Sequence, residues 1–490
     1  MAAVALNYSD VGQVRLHAQV SLPASGNDPA ITLSGSSNEF VVKPHTLAVS
    51  AVTSANTTLN PGSTSGGPGF AAAGEVFHAE IEVRNAQGDL TPNFGNEAVP
   101  QAVRVDFERL VYPIGGNAGT LSGTDSFAPD TTPGRFISQS LSWNEVGSIE
   151  FSPALVGNNY LGAGSPVNHV GSGTVGRFYP AAFHLVSHST DDACTGFSYL
   201  SQPHLGVSYR LEARAQGGNI TTNYDALRYT GTAGVHYVAE HNQSGDGAGW
   251  ASPSRLDIDT TNWASGVMQV NDSTATVRRL ASGPDGPYDR LQLGLQLQDE
   301  LDNRPLDGLN LNPFGPGSCS GAQCTAIALG EPLALRFGRL RLDDAYGPET
   351  LDLPAGLMTQ YWDGERFIRA QEDSCTHIGR AHINYPDGNL LDDSNRHVSV
   401  GAGQSSGDYT GLDADGVRFF AGNAGQVFSA PGAGNTGRFD IRIDLSAYPW
   451  LRFDWTQSGD YDQSYLPPAN IGFGSYRGHD RVIYWREVFE

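Results

Sequence analysis

The residues of this 490-residue chain that could do chemistry are four cysteines and a few short motifs of acids, histidines and serine. The cysteines, Cys194, Cys319, Cys324 and Cys375, permit three pairings, and sequence alone does not choose among them. Cys319 and Cys324 flank Ser-Gly-Ala-Gln, a loop flexible enough to close a small disulfide; Cys194 and Cys375 would then bridge two expected domains. No Cys-x-x-Cys or Cys/His spacing suits zinc. Paired cysteines favour an oxidising, extracytoplasmic home.

Each remaining motif has a plainer reading beside its chemical one. Asp413-Ala414-Asp415-Gly416 begins like a calcium loop, but calcium needs about six to eight oxygens and no Glu completes the shell. Asp413 and Asp415 are therefore expected in a solvated turn, with at most a weak calcium site, and Asp191-Asp192 in another. His236-Tyr237-Val238-Ala239-Glu240-His241 has the residues of a zinc-protease helix with one residue too many between the histidines. Gly171-Ser172-Gly173-Thr174-Val175-Gly176 spells the dinucleotide fingerprint, yet it precedes a strand pattern and no βαβ unit surrounds it. Gly403-Gln404-Ser405-Ser406-Gly407 spells the hydrolase elbow without a helix after it and reads as a flexible turn. Trp250, Trp263 and Trp362 could line a sugar-binding face, although an isolated Trp in a sandwich is more often core. A glycosidase needs two carboxylates at a fixed separation, and no pair here is bound to meet. The expectation is a protein that is not an enzyme and has no cofactor.

Charge narrows the partners. With 52 acids against 29 bases the formal charge is −23, which repels phosphate backbones and excludes nucleic acid. Lys43 is the sole lysine, so Lys–Asn isopeptide staples cannot be a general device. No apolar run approaches the ~18 residues of a membrane helix, and none reads as a signal peptide. An exported chain of this kind is expected to be an excised portion of a longer precursor, extracellular or at the cell surface.

The elements that would position these residues are strands. Leu6-Asn7-Tyr8-Ser9-Asp10-Val11-Gly12 returns as Leu141-Ser142-Trp143-Asn144-Glu145-Val146-Gly147, each followed by alternating apolar residues. This is a corner between two strands, in which the acid bonds turn amides and Gly takes a conformation others resist. The closing prolines Pro44 and Pro180 repeat at nearly the spacing of the corners, 136 against 135 residues. The turn Gln87–Phe94 likewise returns as Gly217–Tyr224. Leu291, Leu293, Leu295 and Leu297 alternate as a half-buried strand, as do Phe439, Ile441, Ile443 and Leu445, and Leu451, Phe453 and Trp455. A last strand is expected at Val482-Ile483-Tyr484-Trp485.

The fold class is therefore all-β: tandem immunoglobulin-like β-sandwich domains followed by an aromatic-rich C-terminal β domain. The expected units are 1–47, terminal strands of a truncated Ig-like domain; 48–183 and 184–345, two Ig-like sandwiches, the latter with a disulfide loop; and 346–490. The two or three strands of the first unit are expected to be poorly buried or to borrow a neighbour's edge.

Three further stretches are specific: Arg336-Phe337-Gly338-Arg339-Leu340-Arg341-Leu342 through Gly347, Asp373-Ser374-Cys375-Thr376, and Tyr476 through Glu487 with its Tyr484-Trp485-Arg486-Glu487 run. With Gly176-Arg177-Phe178-Tyr179-Pro180 and the turn ending Asn223-Tyr224, they make the chain similar to the C-terminal region of the MshQ family. These are surface proteins encoded with the mannose-sensitive haemagglutinin (MSHA) type IV pilus system. The resemblance implies an exported protein of pilus biogenesis or pilus-tip adhesion, with minor pilins or surface glycans as partners and no catalytic motif. The rival readings are a carbohydrate-active enzyme and a carbohydrate-binding module, each with accessory sandwiches.

Overall fold

A computed structural model describes residues 5–164, 166–241, 253–311, 324–386, 389–392 and 396–474. Among them there is no α-helix; short 3-10 turns occur at Pro253–Arg255, Arg380–His382 and Pro449–Leu451, and the remaining regular structure is strand. The period-two patterns account for this, because each alternation gives one apolar face to bury.

The second unit is a sandwich. Thr46–Ser54, Val76–Arg84 and Arg135–Trp143 form one antiparallel sheet, while Val103–Tyr112, Gly147–Leu155 and Val175–Tyr179 form the facing one. Phe77, Ile81, Trp143, Ile149, Phe151 and Phe178 fill the space between them. The third unit repeats the arrangement: Ala182–Asp191, Leu205–Arg214 and Val267–Val277 lie opposite Gly234–His241, Tyr288–Gln298 and Ile327–Arg336. Its core holds Phe183, Tyr209, Trp263, Leu291, Leu293 and Leu295. Both units are Ig-like in architecture, with strands one, two and four in one sheet and three, five and six in the other.

The first unit is a long hairpin. Gly12–Val14 pairs with Phe40–Val42, and His17–Leu22 with Ile31–Ser36. The last domain is built from several small sheets around Leu357, Ile378, Phe419, Phe428, Ile441 and Leu451. Its first strand, Gly338–Leu342, pairs with Leu357–Trp362, so the run Arg336–Leu342 spans the joint between the third sandwich and the last domain.

Two stretches differ from their sequence pattern. Gly403–Asp408, expected as a flexible turn, is a strand. Its small residues suit a tight place: a Cβ at Gly407 would meet the Tyr385 hydroxyl at 2.2 Å. Leu451, Phe453 and Trp455, expected to alternate along a strand, leave a 3-10 turn begun by Pro449 and enter a loop. There the Asp454 carboxylate accepts the amides of Ser458 at 2.9 Å and Gly459 at 2.6 Å, which replaces ladder pairing. The expected strand Val482–Trp485 lies outside the described residues.

Candidate functional site

The two repeated corners do not act only on their own turns. Asp10 Oδ1 accepts the amide of Val11 at 2.9 Å, and also that of Asn93 in the second unit at 3.1 Å. Glu145 does the same one unit on. Its Oε2 accepts Val146 N at 3.3 Å and Asn223 N at 3.0 Å, and its Oε1 accepts Thr222 N at 2.8 Å and the Thr222 hydroxyl at 2.6 Å. Each acid therefore clasps the turn of the following unit.

The receiving turns are built alike. Thr91 and Thr221 donate their hydroxyls to Val83 O and Ala213 O, and Phe94 and Tyr224 are buried anchors. Fixed in this way, the turn offers its next amides to the preceding unit. Pro92 has no N–H, so Asp10 receives one amide where Glu145 receives two and a hydroxyl. Asn223 completes the second joint, donating its side-chain amide to Asn117 O at 2.8 Å and Val146 O at 3.2 Å.

The strand-ending Arg-Phe pair is the second joint element. Arg177, fully buried, crosses from the second unit to Asp302 of the third with contacts of 2.7 and 2.5 Å, and donates to the Tyr229 hydroxyl at 2.6 Å. The fork–fork geometry pairs a charge that burial alone would penalise. Arg336 holds the corresponding place one unit later. It forms an ion pair with Glu372 and lies between the rings of Phe197 at 4.6 Å and Tyr361 at 4.4 Å.

The joint to the last domain adds a covalent tie. Cys194 and Cys375 are disulfide-bonded across it, with Cα atoms 5.6 Å apart. Beside them the Tyr199 hydroxyl donates to Asp373 at 2.9 Å, and Asp373 in turn accepts the Thr376 hydroxyl at 2.7 Å. Arg279 stacks on Phe337 at 3.6 Å and donates to Pro449 O at 3.1 Å. Arg339 lies over Phe367, Phe453 and Trp455 at 3.7 to 4.8 Å, and burial pulls its guanidinium down to about 10. A Cβ at Gly338 would meet the Tyr199 ring at 2.5 Å, so the backbone itself forms part of this contact. The Arg336–Leu342 stretch is thus an interface motif of alternating guanidinium and ring.

The remaining candidates scatter. Cys324 is disulfide-bonded, while Cys319 lies outside the described residues. Cys194, Asp373 and Cys375 are grouped closely enough for a metal, but the disulfide uses both sulfurs. Asp413 accepts the amides of Asp415 at 2.9 Å and Gly416 at 2.8 Å and the Arg418 guanidinium at 2.8 Å. The Gly416 amide is foremost in holding its carboxyl down to about 2. Its oxygens are committed to protein donors, and Asp415 is exposed.

His236 and His241 sit on a strand, where the helical grouping of a zinc site cannot arise; His236 contacts Gln298. The buried Ser405 hydroxyl has no hydrogen-bond partner among the described residues. Trp263 is core, donating to Ala233 O at 2.7 Å; Trp362 packs on Phe367; Trp250 lies outside the described residues. Sequence reading did not name one surface, a cleft of about 650 Å³ in the last domain lined by Asn384, Arg438, Asp440, Arg442 and the exposed ring of Tyr465.

Models of the second, third and fourth domains of DUF6701 match residues 43–138, 145–326 and 336–488. The third-domain match opens at Glu145 and the fourth at Arg336, two of the joint residues. No curated protein matches the chain. Among solved structures the I9–I11 tandem of titin is similar at 7% identity, covering 82% of this chain and 94% of that one with a TM-score of 0.22. The adhesin InvE of Yersinia pseudotuberculosis is similar at 11% identity, covering 72% and 69% with a TM-score of 0.23. Dimeric latent PorU from Porphyromonas gingivalis is similar at 10% identity, covering 89% and 35% with a TM-score of 0.16.

Proposed function

We propose, on the premise that this chain belongs to the DUF6701 family, that it is a non-enzymatic extracellular surface protein acting in MSHA-type pilus biogenesis or pilus-tip adhesion. The observation that carries the reading is the acid clasp repeated at two successive joints, Asp10 on Asn93 and Glu145 on Thr222 and Asn223. A row of sandwiches with polar, hydrogen-bonded joints of fixed register is suited to hold a terminal domain away from a surface under shear. The Cys194–Cys375 tie, which needs an oxidising compartment to persist, agrees with a place outside the cytoplasm. The last domain is the working end, toward minor pilins or surface glycans.

The test is a deletion of residues 346–490 in a bacterium that assembles such a pilus with this protein. Loss of surface pili or of adhesion, with the truncated protein still exported, is expected. Piliation and adhesion at the level of the intact protein would count against the reading. A carbohydrate-binding module is the second reading, favoured by the polar cleft beside Tyr465, and a glycan array separates it from pure scaffolding.

A further inference from the structure

The hairpin of the first unit has the register of a sandwich it does not by itself complete. Gly12 pairs with Val42 as Gly147 pairs with Phe178, and the strand following each glycine carries apolar residues at the same alternate positions. In the second unit those positions are Ile149, Phe151 and Leu155, all buried. Their counterparts, 135 residues earlier, are Val14, Leu16 and Val20, and Leu16 and Val20 are 44% and 51% exposed.

The hairpin alternates strictly. Val20 lies opposite Leu33 and Leu22 opposite Ile31, so these four share one face, and each is about half exposed. The other face carries His17, Gln19, Ser21, Thr32, Ser34 and Ser36, with Ser21 on Thr32 at 3.3 Å and Ser36 on His17 at 2.7 Å. One wet face and one apolar face is the pattern of a sheet covered on a single side. A contiguous apolar patch of this kind marks an interaction surface.

The second unit says what covers it. There the Gly147–Leu155 strand is paired along its free edge by Val103–Tyr112, with Phe107 opposite Phe151 and Val103 opposite Leu155. Its inner face is covered by the sheet of Thr46–Ser54, Val76–Arg84 and Arg135–Trp143. In the first unit, among the described residues, neither the edge strand nor the covering sheet has a counterpart.

We propose that the Val20, Leu22, Ile31, Leu33 face takes up a β half-sandwich of the DUF6701 first-domain type. One strand of it would run antiparallel to residues 14–22 in the place that Val103–Tyr112 holds in the second unit. The occupant must carry apolar residues at alternate positions, as Val103, Val105 and Phe107 do. The matched family domains are the second to the fourth, which leaves the first-domain polypeptide as the partner of the right kind.

The experiment compares hydrogen exchange and apolar-dye fluorescence of this chain alone and fused, at its N-terminal side, to a first-domain polypeptide of a DUF6701 protein. Alternate amides between residues 14 and 22 are expected to slow at least a hundredfold on fusion, and dye bound to the hairpin to be released. The variants Val20→Asp and Leu33→Asp, on an exposed face and so expected to fold, should undo both effects. Unchanged exchange and dye signal with a folded fusion partner would overturn the proposal. So would a concentration-dependent dimer of the chain alone that either variant abolishes, because the face would then belong to a second copy.

Discussion

The Glu145 carboxylate accepts the backbone amide of Asn223 at 3.0 Å, joining the corner of one sandwich to the turn of the next. The same relation holds between Asp10 and Asn93, at 3.1 Å. A corner acid in this chain is therefore a joint residue as well as a turn residue. Hydrogen bonds accepted by a carboxylate from N–H and O–H donors are shorter and stronger than those between neutral groups, which makes these the strong members of the interface.

Replacing Glu145 by Ala should cost about 2–4 kcal/mol, since two amides and a hydroxyl lose a charged acceptor in a buried place. Asp10→Ala should cost about 1 kcal/mol or less, because one interdomain amide is lost at a more exposed site. Urea unfolding followed by fluorescence measures both. Equal losses would argue that the second clasp is no stronger than the first.

Arg177→Ala leaves Asp302 nearly buried without its partner and should destabilise by about 3–5 kcal/mol. Arg177→Lys keeps the charge but loses the fork, and should fall between Ala and the native residue. A double-mutant cycle with Asp302→Asn checks that the coupling is between these two groups.

Breaking the Cys194–Cys375 bridge opens a constraint over 181 residues, which chain entropy values at about 4–5 kcal/mol. The variant Cys194→Ser with Cys375→Ser should show that loss as a lower urea midpoint under non-reducing conditions. The stacked guanidinium contacts of Arg279, Arg336 and Arg339 should keep the last domain docked at low denaturant. Limited proteolysis without denaturant that cuts the joint of the double variant much faster than the oxidised native joint would contradict this docking, and an unchanged urea midpoint would contradict the loss.

Glu240 is buried, and among the described residues neither of its carboxyl oxygens has a hydrogen-bond partner. Burial pushes its carboxyl up to about 7. An acid whose pKa is raised on folding contributes no penalty below its unfolded pKa of 4.5, and folding loses stability as pH rises from there through about 7. Glu240→Gln should therefore stabilise at pH 8 by about 2–3 kcal/mol and change little at pH 4, as read from denaturation at the two pH values. A variant effect independent of pH would contradict the assignment.

Calcium should release no heat on titration, and a chelator should leave the melting temperature unchanged. Asp413, the leading oxygen of the Asp-Ala-Asp-Gly turn, is already occupied by two amides and Arg418. A calcium-dependent rise in melting temperature lost in Asp413→Asn would show that the metal displaces these donors.

Alternation made the strands legible, and the recurrence of Leu6–Gly12 as Leu141–Gly147 made the tandem legible. What the corner acids reach was not: Asp10 and Glu145 were expected to satisfy their own turns, and the amides they also take lie 77 to 83 residues away in sequence. A signal was present, because the corner and the receiving turn both repeat, at 135 and 130 residues, as two surfaces that meet at both of the first two joints must do. The strand at Gly403–Gly407 was hidden because glycine and serine carry no inside–outside signal, while tertiary closeness to Tyr385 requires them to be small. The alternation at Leu451, Phe453 and Trp455 misled for the opposite reason. Phe453 and Trp455 are apolar because they receive the Arg339 guanidinium, and need no strand to do so.

The most direct measurement is the spin-label distance distribution between Val99→Cys and Leu227→Cys, exposed positions in the second and third sandwiches. A single narrow distance that broadens when Glu145 is replaced by Ala is the predicted result. A broad distribution in the unaltered joint, or a narrow one indifferent to Glu145, would contradict a clasped tandem.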